Sequence, residues 1–181
     1  MSRDRRGEVL DGTYECLTRY GVRRTTMDDI ASAVGISRAA VYQYVRNKDD
    51  AFRQLAIRLH DEALQNARAA ANGGGTAQQR IHGVLNAKLQ LVLGMLNDSP
   101  HTSELLDQKA RLFGDICTQF TAAIAVMLAG LFTEAGITAV APRQAADICV
   151  ALVIGLEGRP DAAELLQPAA DAIVDGLLRR Q

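Results

Sequence analysis

The sequence predicts an all-α fold. Apolar residues recur with the helical period along nearly the whole chain, and no stretch alternates with period two for long enough to indicate a strand. The 181 residues include only 4 prolines and no tryptophan, and 4% of them are aromatic. A core of alanine and aliphatic side chains suits packed helices. The length is sufficient for one small domain joined to a larger one.

Four helices are predicted in the N-terminal third, each with its own start or stop signal. Gly21 can end the first helix in the left-handed conformation, and Gly35 can end the second. Thr26, Ser37 and Asn47 are N-cap residues for the second, third and fourth helices, because their side chains can accept backbone N–H groups. The predicted bounds are 5–20, 26–35, 37–45 and a long fourth helix over 48–71.

The remaining chain predicts a helical body that begins after a glycine triplet at 73–75. Such a run breaks a helix and indicates a short surface loop. A fifth helix ends at Ser99-Pro100, a short one starts near Ser103, and the next helix is apolar on most sides, which indicates a central position. The last three of these predicted helices cover 112–132, about 142–158 and a final helix after Pro160.

The charge is unevenly distributed along the chain. Residues 1–60 carry 11 Lys and Arg against 8 Asp and Glu, whereas residues 61–181 carry 9 against 13. A basic N-terminal part on an acidic body favours contact with a polyanion, although chance variation in so small a count gives the same pattern. Arg5 and Arg6, with Arg3 before them, form a basic arm that could follow a phosphate backbone or a minor groove.

The segment from Gly21 to Leu55 has the pattern of a helix-turn-helix unit, two short helices joined by a tight turn. Ala31 is small where the two helices would cross, and Gly35 allows the positive φ that the turn needs. Apolar side chains would form a miniature core between the helices, at Ile30, Val34, Ile36 and Val41. Ser37 caps the second of these helices and leaves its N-terminal end free to enter a major groove.

Polar and aromatic residues crowd this short second helix. It displays Arg38, Tyr42, Gln43 and Tyr44, an unusual set for an element of that size. Lys48 lies at the start of the next helix, where a phosphate could meet its charge and the free backbone N–H groups. These features favour DNA binding over a purely structural three-helix unit.

The same residues resemble the DNA-binding domain of the TetR family of bacterial regulators. The resemblance covers about the first third of the chain and rests on motifs at fixed spacing. These are Gly21, Thr25-Thr26, Asp29-Ile30-Ala31, Gly35-Ile36-Ser37, the recognition stretch 41–45 and Asn47-Lys48-Asp49-Asp50. One departure is Gln43, which stands where members often carry a second aromatic residue.

The resemblance implies roles for matching positions on double-stranded DNA. Thr26 and Lys48 would contact phosphates from helix N-termini, and Tyr42 and Tyr44 would pack on the sugar-phosphate backbone. Arg38, Ala39 and Gln43 would face base edges, where Arg38 could pair with guanine and Gln43 with adenine. Gln43 is either a determinant of operator specificity or a polar substitute on the backbone face.

A dimer is expected because one helix-turn-helix unit buries too little surface for tight binding and two half-sites add their contacts. The apolar run ICVALVIGL at 148–156 is more than one core could cover, and the final helix repeats apolar residues at near-heptad spacing. The resemblance implies a four-helix interface between two copies of the last two helices. The predicted interface residues are Val150, Val153, Ile154, Leu166, Ala170, Ile173 and Leu177. A monomer with a fully buried helix is the alternative.

The resemblance also implies a ligand cavity among the middle helices. A small-molecule effector bound there would lower operator affinity, with the long fourth helix as the mechanical link. The candidate lining residues are Met95, His101, Phe113, Cys117, Phe120 and Thr121. Ordinary core packing is the competing interpretation for each of them.

The domains are therefore predicted as 1–47 for DNA binding and 48–181 for ligand binding and dimerisation, with 48–71 linking them.

Nothing in the sequence favours an enzyme, a cofactor or a metal site. His60, His82 and His101 lack metal-ligand spacing, and the glycine triplet lacks the residues of a phosphate-binding loop. The odd count of 3 widely spaced cysteines indicates reduced thiols in a cytoplasmic protein. The apolar run at 148–156 is too short to span a bilayer, so no membrane contact is expected. The most favoured function is a ligand-responsive DNA-binding repressor. The alternative is a helical protein-interaction adaptor without specific DNA binding.

Overall fold

A computed structural model describes residues 4–97, 101–157, 159 and 161–178, without the side chains at 95–97 and 102–110. Over these residues the chain forms eight α-helices and no strand. The helices are α1 (Arg5–Arg24), α2 (Met27–Val34), α3 (Arg38–Val41), α4 (Lys48–Asn72), α5 (Ala77–Asn97), α6 (Thr102–Glu134), α7 (Pro142–Leu156) and α8 (Ala162–Leu178). The predicted all-α fold class is confirmed.

The predicted caps determine where the short N-terminal helices begin and end. Thr26 and Asp29 form a capping box at the start of α2, in which each side chain accepts the other residue's backbone N–H. Gly35 follows α2 with φ 71° and ψ 34°, the left-handed conformation that glycine adopts without steric cost. Asn47 Oδ1 accepts the Asp50 N–H at 2.9 Å at the start of α4. These local signals were readable from sequence because each involves neighbouring residues.

Three predicted bounds differ from the structure. Gly21 breaks α1 with φ 77° and ψ 172°, but one further helical turn continues to Arg24. Helix α3 ends at Val41 rather than Val45, because the following N–H groups of Gln43 and Tyr44 bond three residues back and form turns. The two helices predicted around 103 and 112 are one element, α6, kinked at Phe113 (φ −153°, ψ 24°).

The chain divides into two compact units. The first contains residues up to Leu59 together with 95–116, and the second contains 60–94 together with the chain from Cys117 onwards. The predicted boundary at 47/48 falls at the start of α4, whereas the first unit includes the first half of that helix. Ala51 shows why, because its side chain is fully buried in the core of the N-terminal helices.

The first unit has a small core made of the residues between α1, α2, α3 and the start of α4. Helices α1 and α2 approach closely at Gly12, where an added Cβ would lie 2.5 Å from Val34 Cγ2. Val34 and Ile36 pack on this core, as predicted for the miniature core of the helix-turn-helix unit. Its buried members are Val9, Cys16, Met27, Ile30, Ala31, Val41, Val45 and Ala51.

The second unit has an aliphatic core in which α7 packs against α8. Its fully buried side chains include Ile81, Leu85, Ile124, Leu128 and Phe132. A largely buried ion pair lies in this unit: Lys88 Nζ stands 2.7 Å from Glu157 Oε1, and their side chains are 6% and 15% exposed.

Candidate functional site

The recognition segment, residues 26–50, presents the polar side chains that the sequence singled out. Ser37 Oγ accepts the Ala40 N–H at 3.2 Å and starts α3, and its own side chain is exposed. Arg38, Ala39 and Gln43 are exposed, and Tyr42 is 43% exposed. This surface combines a cation, a phenol and an amide, which are groups that bind phosphates and base edges.

Arg38 is held in place by two neighbours. Its Nη1 donates to Asp28 Oδ2 at 2.9 Å, and its Nη2 donates to the Tyr42 hydroxyl at 3.3 Å. The guanidinium carbon lies 5.8 Å from the centre of the Tyr42 ring. The hydrogen bond to Tyr42, followed by the charge of Asp28, raises the pKa of Arg38. Sequence reasoning missed Asp28 as a partner, because the ten-residue separation becomes a contact only when α2 and α3 fold together.

Tyr44 occupies a different environment from Tyr42. It is half-buried and packs against the hydrophobic core of the first unit. Tyr44 is therefore less exposed than the sequence suggested, and its contact with the DNA backbone stays a prediction. The turns after Val41 direct successive residues to different sides, so that Tyr42 and Gln43 remain in solvent while Tyr44 faces the core.

Thr26 and Lys48 lie at the N-termini of α2 and α4, as the sequence predicted. The Thr26 hydroxyl is 2.6 Å from Asp29 Oδ2, and the side-chain hydrogen bond from Thr26 lowers the pKa of Asp29. Lys48 Nζ donates to the Arg23 carbonyl at 3.1 Å, which ties the start of α4 to the last turn of α1. Both positions keep the backbone N–H groups of a helix start beside a polar side chain.

Arg5 and Arg6 do not form an extended arm. Asp4 Oδ1 accepts the Gly7 N–H at 3.0 Å and caps α1, so both arginines lie in the first helical turn. Arg5 pairs with Glu8 at 2.8 Å, and Arg6 Nε donates to Gln54 Oε1 at 3.1 Å. The arm prediction is therefore corrected for these two residues, whereas Arg3 lies outside the described residues.

A cavity of about 610 Å³ opens on the second unit, between α6 and α7. Two of the six residues predicted for the ligand site, Cys117 and Thr121, lie on its wall. Small apolar side chains line most of it, with a cation and a carboxylate on the α7 side. The other lining residues are Thr118, Ala122, Ala125, Val126, Ala129, Arg143, Asp147 and Val150.

The other predicted ligand residues do not gather at this cavity. Phe120 is buried and packs edge-on against the His60 ring, with 5.3 Å between ring centres. Phe113 is buried at the kink of α6 and belongs to the first unit. His101 also belongs to the first unit, where Nε2 is 3.3 Å from the Arg19 carbonyl. The side chain of Met95 lies outside the described residues. Helical periodicity could not separate these faces.

Comparison with known proteins identifies the N-terminal part. Residues 9–55 match the family model described as bacterial regulatory proteins, tetR family. The helix-turn-helix domain of the chain is therefore similar to that of the tetR family over these residues. The match ends inside α4 and therefore includes the whole recognition segment.

Curated relatives extend the tetR likeness beyond this domain at low identity. An uncharacterised HTH-type transcriptional regulator of Bacillus subtilis, YhgD, is 28% identical over 90 residues, which are 50% of this chain and 47% of that protein. The HTH-type transcriptional regulator TtgR of Pseudomonas putida is 27% identical over 122 residues, 64% of this chain and 55% of TtgR. The chain spans about half the length of the curated relatives it matches.

Solved structures of transcriptional regulators share the fold over nearly the whole chain. A regulator of the TetR/AcrR family from Thermobifida fusca is 25% identical with a TM-score of 0.69, covering 98% of this chain and 100% of that one. FadR from Bacillus subtilis, solved with stearoyl-CoA, is 17% identical with a TM-score of 0.70, covering 94% and 98%. At 17% identity, the likeness to FadR shows a shared fold alone.

The predicted dimer residues divide into two groups. Ile154 is 49% exposed on α7, and Ile173 and Leu177 are half-buried on α8. The remaining four, Val150, Val153, Leu166 and Ala170, are buried inside the chain's own core. They are therefore not available to a second copy, and this part of the prediction is corrected. The apolar side chains that α7 does expose include Ile148, at 43%.

Two further properties concern other kinds of site. Among the side chains that the structure describes, no three His, Cys, Asp or Glu residues come together as metal ligands. The segment Arg111–Glu134 is long and apolar enough to cross a membrane by length and composition alone. The central helices of water-soluble proteins meet the same criterion, so that this property does not distinguish the two.

Proposed function

We propose that the protein is a sequence-specific DNA-binding transcriptional regulator, acting in the cytoplasm as a homodimeric repressor that a small molecule releases from a palindromic operator. The observation that carries the proposal is the exposed surface of α3 and its following turn, where Arg38, Tyr42 and Gln43 stand in solvent. The match of residues 9–55 to the family model of bacterial regulatory proteins supports it.

The recognition segment supplies groups for both parts of a DNA contact. Arg38 has the planar donor pair that matches guanine O6 and N7, and Gln43 can bond an adenine. Thr26 and Lys48 stand at helix N-termini, where a phosphate gains backbone N–H bonds and the favourable end of the helix dipole. Base contacts would set the sequence preference, and phosphate contacts would set the register.

The exposed apolar face of α7 supports a homodimer. Ile148 and Ile154 are 43% and 49% exposed, and the exposed Ala151 lies between them on the same helix. Covering such a stripe with a second copy would remove apolar surface from water. This face replaces the buried residues that the sequence had suggested.

The cavity beside α6 supports a ligand-responsive regulator. Its volume of about 610 Å³ lies in the range of small-molecule sites. FadR of Bacillus subtilis, solved with stearoyl-CoA, has the same fold. Helices α4 and α6 each contribute residues to both units, so that a ligand favouring one conformation of the second unit could shift the DNA-binding equilibrium.

The test of DNA binding is a titration of the purified protein against genomic fragments at two salt concentrations. We expect tight, salt-sensitive binding to a few palindromic fragments. Tyr42→Ala should weaken that binding at least about tenfold, because one phosphate-facing aromatic contact is lost. Tyr20→Ala is the matched control, since Tyr20 is a similarly exposed tyrosine (36%) outside the recognition segment. Weak binding, equal on all fragments and unchanged by Tyr42→Ala, would favour the protein-interaction adaptor instead.

The dimer is tested by the mass of the protein in solution. Ile154→Glu, alone or with Ile148→Glu, should shift the sedimentation equilibrium towards the monomer, because a charge would be buried in an apolar contact. Ile57→Glu provides the control, as Ile57 is 42% exposed on α4. If the α7 variants remain dimeric to the same extent as Ile57→Glu, this face is excluded as the interface.

A further inference from the structure

The three cysteines of the chain lie in unlike environments. Cys16 is 2% exposed and Cys149 is fully buried, and burial raises the pKa of each thiol to about 11. Thiols of this kind are poor nucleophiles, because the thiolate is the reacting form. Cys117 is only half-buried, and it lies on the wall of the cavity in the second unit.

Cys117 also has a base next to it. Its Sγ lies 3.3 Å from Nε2 of His60, a residue of α4 that is 6% exposed. Phe120 packs edge-on against the His60 ring, and this contact limits the movement of the imidazole next to the thiol. A nucleophile within hydrogen-bond reach of an imidazole that is itself held by packing is the arrangement that activates cysteine in covalent catalysis.

The cavity wall indicates which molecules would reach this thiol. Ala122, Ala125 and Val126 provide apolar contacts for a hydrocarbon body of several carbon atoms. The Thr121 hydroxyl and the Arg143 guanidinium, which also line the cavity, are donors for an oxygen atom. A molecule with an apolar body and an electrophilic carbon conjugated to a carbonyl group would use the thiol, the apolar wall and the two donors. A peroxide would gain nothing from the apolar wall.

We propose that Cys117 and His60 form a covalent capture site for apolar α,β-unsaturated carbonyl compounds that enter the cavity. The Cys117 thiol gives its proton to His60 Nε2, and the sulfur lone pair forms a bond to the β-carbon. The π pair of the C=C bond forms a new double bond between the α-carbon and the carbonyl carbon, and the π pair of the C=O bond moves onto the oxygen, which gives an enolate. His60 then returns the proton to the α-carbon, which leaves a thioether and an intact carbonyl group, with no leaving group and no external oxidant or reductant.

This inference deepens the proposed function and rests on it in one respect. If the protein is a ligand-released regulator, the adduct is the form with lowered operator affinity. The capture step itself needs only the second unit, so that it can be measured without DNA. The two claims can therefore fail separately.

The experiment follows adduct formation on the full-length protein with trans-2-nonenal, using intact mass and peptide mapping over time. We expect one adduct, on Cys117, forming at least about tenfold faster than on Cys16 or Cys149. Acrolein, which lacks the alkyl body, should show a smaller preference for Cys117 over free N-acetylcysteine than nonenal does. His60→Gln should slow the Cys117 adduct about tenfold or more, as expected for loss of a general base.

The matched control is His82→Gln, which removes a different imidazole, on α5, and should leave the rate unchanged. Thermal unfolding of each variant shows whether slower labelling has a structural origin, and the wild-type comparison of the three thiols needs no variant. Equal labelling of the three cysteines, or equal rates in wild type and a folded His60→Gln protein, would overturn the capture site. Faster oxidation of Cys117 by hydrogen peroxide than alkylation by nonenal would overturn the electrophile class.

The regulatory consequence has its own readout. Operator binding of the untreated protein tests the proposed function, and operator binding of the nonenal adduct tests the link between the two. We expect the adduct to bind at least about tenfold more weakly, the coupling typical of an allosteric effector. Operator binding by Cys117→Ser should be the same before and after nonenal treatment. An adduct that binds the operator as tightly as the free protein would overturn the link while leaving the capture chemistry intact.

Discussion

In the recognition segment, the side chains that cap helices bond to residues three places along the chain. Thr26, Ser37 and Asn47 each accept the N–H of the residue three ahead. In the second unit, the polar contacts join distant parts of the sequence: Lys88 meets Glu157, and His60 meets Cys117. Local capping can be read from residue spacing, whereas the distant pairs depend on how helices pack. The two regions should therefore respond differently to substitution.

The buried ion pair should give the largest effect. Lys88→Met leaves the buried Glu157 carboxylate without the facing ammonium group, and we expect the free energy of unfolding to fall by about 3 kcal/mol. Urea denaturation at pH 7 measures the change. Arg159→Met is the control, because Arg159 and Asp161 form an exposed pair (53% and 41%). A loss for Lys88→Met no larger than that of an exposed pair, about 0.5 kcal/mol, would contradict the prediction.

Helix packing in the first unit should show the next largest effect. Gly12→Ala places a Cβ 2.5 Å from Val34 Cγ2, and we expect a loss of about 1–2 kcal/mol from overpacking between α1 and α2. Gly130→Ala in α6 meets nothing within 4 Å, so that its better helix propensity should raise stability by about 0.5–1 kcal/mol. Thermal unfolding of both variants measures these effects. Changes of the unfolding temperature with the same sign in the two variants would contradict the packing argument.

The cap of α2 should contribute less. Thr26→Ala removes half of the capping box and should lower stability by about 1 kcal/mol at neutral pH. Thr133→Ala, which removes an exposed hydroxyl bonded to the Ala129 carbonyl, is the control and should have little effect.

The same cap has a pH signature. Because Thr26 lowers the folded pKa of Asp29, this stabilisation is present above the unfolded Asp pKa of about 3.9 and is lost as the pH falls through the folded value. The stability difference between wild type and Thr26→Ala should therefore shrink below about pH 4. A difference that stays constant from pH 7 to pH 2.5 would exclude the Asp29 contribution.

The smallest effect is expected for Asp28, and it concerns DNA rather than folding. Asp28→Asn removes a negative charge beside Arg38 and should raise affinity for any DNA about threefold, through weaker repulsion of phosphates. Discrimination between an operator and its base-substituted form should decrease, because Arg38 loses the carboxylate that orients it. Competition binding measures both, with the exposed Asp175→Asn on α8 as the control. Unchanged discrimination would exclude a positioning role for Asp28.

The exposed polar residues of the recognition segment could be predicted because their placement follows from short-range chemistry. Gly35 stands where the turn needs a positive φ, and the caps at Thr26 and Ser37 fix where α2 and α3 begin. The failures in this region have a common cause. Tyr44 turns towards the core and Asp28 reaches Arg38 because of the way short helices pack. Periodicity carries no information on either contact.

The body was less predictable because its helices are apolar on more than one side. Val150 and Val153 belong to the same apolar run as Ile154, yet the first two are buried in the core and only the third is well exposed. Likewise, Phe113 and Cys117 are neighbours on α6 but fall in different units. Which side of such a helix is buried is decided only when another helix packs against it.

The sequence by itself determined the helical class, the helix starts at its caps, and the polar surface of the recognition segment, since these depend on bonds between residues within one or two turns. Tertiary structure alone decided that Lys88 is buried against Glu157, that Cys117 meets His60 beside a cavity, and which side of α7 remains in solvent. The physical reason is that burial and long-range pairing arise when distant helices exclude water together. One-dimensional spacing cannot specify which of several apolar faces will do so.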